Sequence, residues 1–411
     1  MLRITFLILL FTYNFAFASE PVKIEFIGPK NDVLYFSLGK DEPLTGNLEQ
    51  LKYFFEQLDR LKNKDGKLIL RIAHFGDSLI QGDVISEYLR EYFQTRFGGQ
   101  GVGMMQIIAN DIRMRTTTRH SYSDDWDYVS VITRNPDNLP IGISGSLAIP
   151  NKNSWVKYET GRELKSASSF KYARLFYSNA ASNSVIEYTI DNGSPVRVSL
   201  KEGNNVQELI IDAKGDANSI RIKFVDGKRP YFYGVSLESG SGIYLDNFPM
   251  PGNSGVSLID IPEKILQDYA KLTNYGLIIL TYGANVNSPN KAIYKLYKNK
   301  MLKVIEHFRK AFPNVGFILV GVGDKTMKRG GRFITNPDVP LLLNAQKQIV
   351  SDGKIAFWNL WEAMGGENSM EDWVNANPPM ALKDYSHFTK IGGKRVAELL
   401  FNAIMKAYSS R

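Results

Sequence analysis

Residues 68–75 form a nearly continuous apolar run that stops at Gly76-Asp77-Ser78, and a helical apolar pattern takes over a few residues later. Buried strand, tight turn and helix in that order open an α/β unit. The helix is predicted over 84–97, from Val84, Ile85, Tyr88, Leu89, Tyr92 and Phe93. The same alternation returns late in the chain. Helices are predicted over 262–272, 291–312, 339–350 and 391–408, and strands over 276–281, 315–322 and 355–360. A further helix is predicted over 47–63, where Leu51, Phe54, Phe55, Leu58 and Leu61 recur at helical spacing. Alternation of this kind predicts a mostly parallel sheet covered on both faces.

The middle of the chain reads differently. Short alternating strands are predicted over 173–177, 185–190, 196–200, 208–211, 220–225 and 231–237. Turn signals such as Asp191-Asn192-Gly193, Glu202-Gly203-Asn204 and Asp226-Gly227-Lys228 separate them. Strands at such spacing suggest a β-sandwich. The expectation is an α/β fold with an all-β sandwich inserted over about 111–248, packed as a separate module beside the Ser78 cleft.

Composition narrows the chemistry. The chain of 411 residues is 44% hydrophobic and 22% charged, an ordinary globular balance. It has no cysteine, which excludes thiol nucleophiles, cysteine-based zinc sites and disulfides. There is no G-x-S-x-G, no H-E-x-x-H and no phosphate-binding G-x-x-x-x-G-K-[ST] motif. Neither a metal nor a cofactor is expected. The formal charge of +8 is spread along the chain, so nucleic acid is not an expected partner, although proximity to an anionic wall or membrane is compatible with it. Residues 1–18 read as an export leader: Arg3, an apolar run over 4–12 too short to span a bilayer, and Ala16-Phe17-Ala18 before Ser19.

Four histidines leave a short search for a catalytic base. His74 lies inside the first strand, pointing into the core or supporting the site. His120 and His307 read as surface residues. His387 follows Asp384 by three positions, just before the last helix. A turn of that length brings a carboxylate to one ring nitrogen and leaves the other free, as a serine nucleophile requires. Ser78 stands at the carboxyl end of the first strand, where ligands bind in open α/β sheets. Its backbone N–H, near a helix start, suits an oxyanion; the plainer reading is that Asp77 or Ser78 merely caps the helix. Asn285, after the strand over 276–281, can donate to an oxyanion, and a glycine near Asn253-Ser254-Gly255 lets a backbone N–H approach.

Taken together these pieces resemble the SGNH/GDSL hydrolases. Gly76-Asp77-Ser78-Leu79 is similar to the family's first block, Gly255 to its second, Gly283-x-Asn285 to its third, and Asp384-x-x-His387 to its fifth. The resemblance implies a three-layer SGNH fold, with Ser78 as nucleophile, His387 as base and Asp384 as its orienter. It also implies Ser78, Gly255 and Asn285 as oxyanion donors, with Gly252 a near competitor of Gly255. Narrower features, among them Arg71-Ile-Ala-His-Phe-Gly-Asp-Ser78 and the β insertion, resemble the bacterial peptidoglycan O-acetylesterases. That implies hydrolase parts over 19–110 and 249–411 and a carbohydrate-binding-module-like insertion over 111–248. It further implies a periplasmic location and O-acetylated cell-wall glycan as partner. Deacetylation of another polysaccharide, O-acetyl transfer, and non-catalytic glycan binding remain the alternatives.

Overall fold

The structure, a computed structural model, describes residues 38–65, 67–286 and 290–411. The expected leader over 1–18 lies outside the described residues. Among those described, no helix is long and apolar enough to cross a membrane.

The central sheet has six strands: β1 (Thr45–Gly46), β2 (Ile69–Gly76), β3 (Gly242–Pro249), β4 (Tyr275–Thr281), β5 (Gly316–Val320) and β6 (Ala356–Trp358). Their spatial order is β1-β6-β5-β4-β2-β3. All neighbours pair in parallel except β1, which runs antiparallel to β6. The period of two along each strand sends side chains to opposite faces. Leu70 and Ile72 of β2 join one apolar layer with helices α1 (Lys52–Lys62) and α2 (Ser86–Phe97) and the final helix Lys390–Ser409. Ala73 and Phe75 join the other, with the helices Glu263–Leu272, Ala292–Ala311 and Asp338–Gly353.

Two antiparallel sheets fill the middle of the chain. One orders strands Val196–Ser199, Val185–Ile190, Ser219–Asp226, Trp155–Thr160 and Thr118–Tyr122. The other orders Gln207–Ala217, Phe170–Ser178, Tyr231–Glu238, Ser146–Ile149 and Asp127–Ser130, with Gly103–Met105 also on Tyr231–Glu238. Val156, Tyr158, Ile220 and Ile222 of the first face Leu175, Tyr177, Val235 and Leu237 of the second across a shared apolar core.

These sheets do not pack as a separate module. The opposite face of the second sheet sends Phe176 and Tyr233 into the core of the α/β part, where both rings meet Tyr269 at 5.4 and 6.2 Å between centroids. Polar side chains seal the same junction. Arg71 of β2, fully buried, donates to Asp246 of β3 (2.7 and 2.9 Å), to Glu238 (2.6 Å) and to Ser236 (2.9 Å). Arg174 adds a second cation on Glu238 and Glu208. Buried charges persist when each finds partners, and breaking one such pair is costly. The sandwich expected as a separate module beside the Ser78 cleft thus shares the second face of its second sheet with the α/β part, a burial that short alternating strands do not reveal.

Candidate active site

Ser78 stands where β2 ends. Gly76 is required there: a Cβ would come within 2.8 Å of the Thr281 carbonyl oxygen and of Ile80, so any side chain would push β2 away from β4. Asp77 is buried and its carboxylate accepts the Leu79 N–H at 3.0 Å, capping the turn that follows. Burial pushes the Asp77 carboxyl up to about 6, against that N–H, His387 and the Ala284 and Gly283 N–H groups. The turn is not the start of the long helix. Residues Ser78–Asp83 form a 3-10 segment with non-helical backbone at Gln81 and Gly82, and α2 begins only at Ser86. The expected helix over 84–97 therefore begins later, and local N–H groups of the turn, not an α-helix dipole, face any charge at Ser78. Gly82 donates to Asp111 at 3.0 Å, and Arg90 grips Asp83 with two bonds, so the turn is anchored on both sides.

His387 comes from the far end of the chain. Its loop is closed by the Leu382 N–H on the His387 carbonyl (2.8 Å) and the Tyr385 N–H on the Leu382 carbonyl (3.0 Å). A hairpin, Thr326–Arg329 and Arg332–Thr335, braces it: Phe333 stacks on Tyr385 at 4.0 Å, and the Thr326 N–H donates to the Tyr385 carbonyl. The outcome is a continuous chain of contacts. His387 Nε2 lies 2.7 Å from Ser78 Oγ, and Nδ1 lies 2.8 Å from Asp384 Oδ2. Burial alone would raise the Asp384 carboxyl. Hydrogen bonds from the His387 ring and from the His387 and Ser386 N–H groups hold it below the usual carboxylate range instead. Nδ1 then carries the proton toward Asp384 and Nε2 accepts from Ser78.

The residues expected as oxyanion donors lie in two loops that are tied together. Asn285 Nδ2 donates to the Asn253 carbonyl at 3.1 Å, and its second amide hydrogen has no partner among the described residues. The Gly255 N–H donates to Asn253 Oδ1 at 2.7 Å, so in this arrangement it is spent on Asn253. Gly255 is nonetheless required: its φ is +88°, and a Cβ would meet the Tyr282 ring at 2.8 Å. Gly252, its competitor, has open space around it.

The other histidines take structural places. His74 is fully buried between Ser86 (2.8 Å) and Thr281 (2.9 Å), and burial pushes its ring down to about 3. His120 and His307, expected at the surface, are half-buried. His120 stacks on Tyr158 at 4.5 Å and donates to the Ile107 carbonyl, while His307 donates to the Ile261 carbonyl at 2.7 Å.

A pocket of about 460 Å³ opens beside Ser78 and His387, walled by Leu79, Val84, Met114, Leu382 and Phe388, with Glu87, Thr116 and Lys390 at its polar side. Sequence reasoning missed Met114, Thr116 and Lys390, which carry no motif and reach the site only through the tertiary fold.

No family model matches the sequence, and no curated protein matches it. Solved structures do. A peptidoglycan O-acetylesterase aligns at TM-score 0.72 and 22% identity over 90% of this chain and 99% of its own. A family 2 carbohydrate esterase with its carbohydrate binding domain, from Myceliophthora fergusii, aligns over 69% of this chain and 99% of its own at 12% identity, with a TM-score of only 0.30. The chain thus has the fold of the first of these.

Proposed function

We propose that this chain is an exported serine O-acetylesterase that removes acetyl groups from cell-wall glycan, with O-acetylated peptidoglycan as its substrate. The observation that carries the reading is the unbroken Ser78–His387–Asp384 contact chain at the carboxyl end of a parallel sheet. Ser78 Oγ attacks the acetyl carbonyl as its proton passes to His387 Nε2. Asp384 holds the ring in the required tautomer and stabilises the imidazolium. The negative oxygen of the tetrahedral intermediate falls to the Ser78 N–H and the free amide hydrogen of Asn285. The Gly255 N–H joins them when Asn253 turns aside. His387 then gives its proton to the departing sugar oxygen, leaving an acetyl-enzyme, and water activated by the same ring releases acetate.

The leaving alcohol must sit on the side of His387 that protonates it. The 460 Å³ pocket contains His387 and neither Gly255 nor Asn285, so it suits the sugar and not the oxyanion. Residues 1–18 serve as the export leader in this reading, the destination is the periplasm, and the segment 111–248 helps hold polymer. Acetate release from O-acetylated peptidoglycan and from acetylated xylan tests the proposal. Faster release from peptidoglycan, abolished by Ser78→Ala, is expected; release from neither polymer would defeat it.

A further inference from the structure

The sugar-side pocket does not end at Thr116. That residue also lines a second cavity, of about 700 Å³, formed on the antiparallel sheets by Arg119, Arg162, Glu159, Glu163 and Asp191 among others. The two are joined where Lys390, at the rim of the catalytic pocket, is ion-paired to Glu163 of the second. A polymer whose acetylated sugar sits over Ser78 therefore has this cavity as its neighbour, across the Lys390–Glu163 pair.

The charges along it are not equivalent. Glu159 is engaged by Lys157 at 3.1 Å, Glu163 by Lys390, and Asp191 accepts the N–H groups of Asn218 and Ser219 at 3.0 and 2.8 Å. Arg115 is committed to Asp111 at 3.0 Å. Arg119 and Arg162 are exposed, and neither has a carboxylate or carbonyl partner among the described residues. The backbone fixes both positions: Arg119 lies opposite Glu159 in the strand pair, and Arg162 follows Gly161, whose N–H bonds the Thr117 carbonyl at 2.7 Å. The groove's own carboxylates, Glu159 opposite Arg119 in the strand register, Glu163 and Asp191, are each engaged by another group, so the two guanidinium groups are left to take planar carboxylates.

We infer that Arg119 and Arg162 form a subsite for a carboxylate carried by the glycan polymer, one pocket removed from the acetyl group that is cleaved. This rests on the esterase reading for its substrate and adds the chemical class that the groove selects: an anionic glycan in preference to a neutral one. Lys390 and Glu163, paired across the junction, divide the two subsites without cancelling the arginines. The carboxylate can belong to the sugar or to an attached peptide.

The test uses sonicated O-acetylated wall fragments with their carboxylates intact and the same fragments after carbodiimide amidation. The intact chain should show a KM roughly three- to tenfold lower on the carboxylate form, with kcat nearly equal, and the difference should shrink with salt. The double substitution Arg119→Gln with Arg162→Gln should raise KM on intact fragments by the same factor and leave KM on amidated fragments where it was. Arg→Lys at both positions should recover part of the loss, which a mere folding defect would not. Amidase-trimmed fragments locate the carboxylate: a preference that survives trimming places it on the sugar, and one that vanishes places it on the peptide. Equal KM for intact and amidated fragments would overturn the subsite while leaving the esterase standing. Sedimentation of the Ser78→Ala chain with both fragments reads the subsite without turnover, so it decides the matter even if no acetate is released. Preferential binding to the carboxylate form supports the subsite, and equal binding overturns it.

Discussion

Two histidines flank the end of β2, and they make nearly the same contacts to opposite ends. At the mouth, Ser78 Oγ stands at His387 Nε2 and Nδ1 faces the Asp384 carboxylate. Beneath it, Thr281 stands at His74 Nε2 and Ser86 at Nδ1. The Ser86 hydroxyl donates onward to Asn247 Oδ1 at 3.0 Å, and Asn247 Nδ2 donates to the Ile80 carbonyl at 3.0 Å. That order assigns the Nδ1 proton to His74 and makes Thr281 the donor to Nε2, a hydroxyl–imidazole contact with the polarity of the catalytic one. The lower ring is fully buried, and its hydrogen-bond partners are two hydroxyls, not a carboxylate. Burial holds the ring down to about 3, and the pull of Asp83 toward an imidazolium is opposed by its partner Arg90, so His74 cannot take the Thr281 proton. A hydroxyl beside a histidine is therefore not a nucleophile by itself. The lower network instead braces the turn that presents Ser78, through Ile80.

The contrast breaks first under Ser78→Ala. Loss of the nucleophile should lower kcat on an acetyl ester by roughly 10⁴-fold or more with the fold intact. Ser86→Ala should do the reverse, costing stability while kcat stays within several-fold. A Ser86→Ala enzyme as dead as Ser78→Ala, yet equally stable to denaturant, would mean that the two networks act as one.

His74→Phe is the next largest change. It fills the volume but leaves the Thr281 and Ser86 hydroxyls buried without their partner, at a cost of roughly 3 kcal/mol. Urea unfolding should show that loss, and a loss below about 1 kcal/mol would say the lower network is dispensable. Asn285→Ala follows, with kcat expected to fall roughly a hundredfold, about 2.7 kcal/mol of barrier, and KM little changed. A rise in KM with kcat unchanged would place Asn285 in ground-state binding instead.

The upper network was legible in the sequence and the lower one was not, for a physical reason. Ser78, Asp384 and His387 lie in turns, where short motifs fix local geometry, so their residue types announce a role. Helix and strand positions were legible wherever apolar periodicity was clean, as in β2, β4 and the long helix Ala292–Ala311. Strand β3 was missed because Asp246 and Asn247 interrupt its apolar run, although both are buried: Asp246 on Arg71, Asn247 in the His74 network. A polar residue in a core strand reads as a surface until its partner is known, and Arg71 lies 175 residues away from Asp246. The same blindness hid the burial of the second antiparallel sheet. The strands Thr118–Tyr122, Asp127–Ser130 and Ser146–Ile149 were missed because four or five residues are too few to show a period of two.

Glu87 lies where the two networks meet, next to Ser86 on α2 yet lining the catalytic pocket, and it supplies the smallest and most pH-dependent test. Burial pushes its carboxyl up to about 7, and Asp83 adds to the rise; Lys390 at 3.6 Å and the Thr116 hydroxyl at 2.8 Å oppose it only in part. A carboxyl raised on folding binds its proton more tightly in the native state. Its contribution is therefore fully present below the unfolded value of 4.5, is lost as pH climbs toward 7, and is absent above it. Glu87→Gln keeps the volume and an acceptor for Thr116 while removing the charge that must be ionised in a dry place. The variant should match the parent in stability at pH 4 and exceed it at pH 8 by about 1–2 kcal/mol, the order of ionisation cost that a carboxyl raised from 4.5 toward 7 carries with Lys390 already in place. Thermal unfolding at the two pH values reads this directly. A variant that is less stable at pH 8 would show that Lys390 compensates the buried charge in full, and that the pocket's polar side is held by that ion pair, not strained by it.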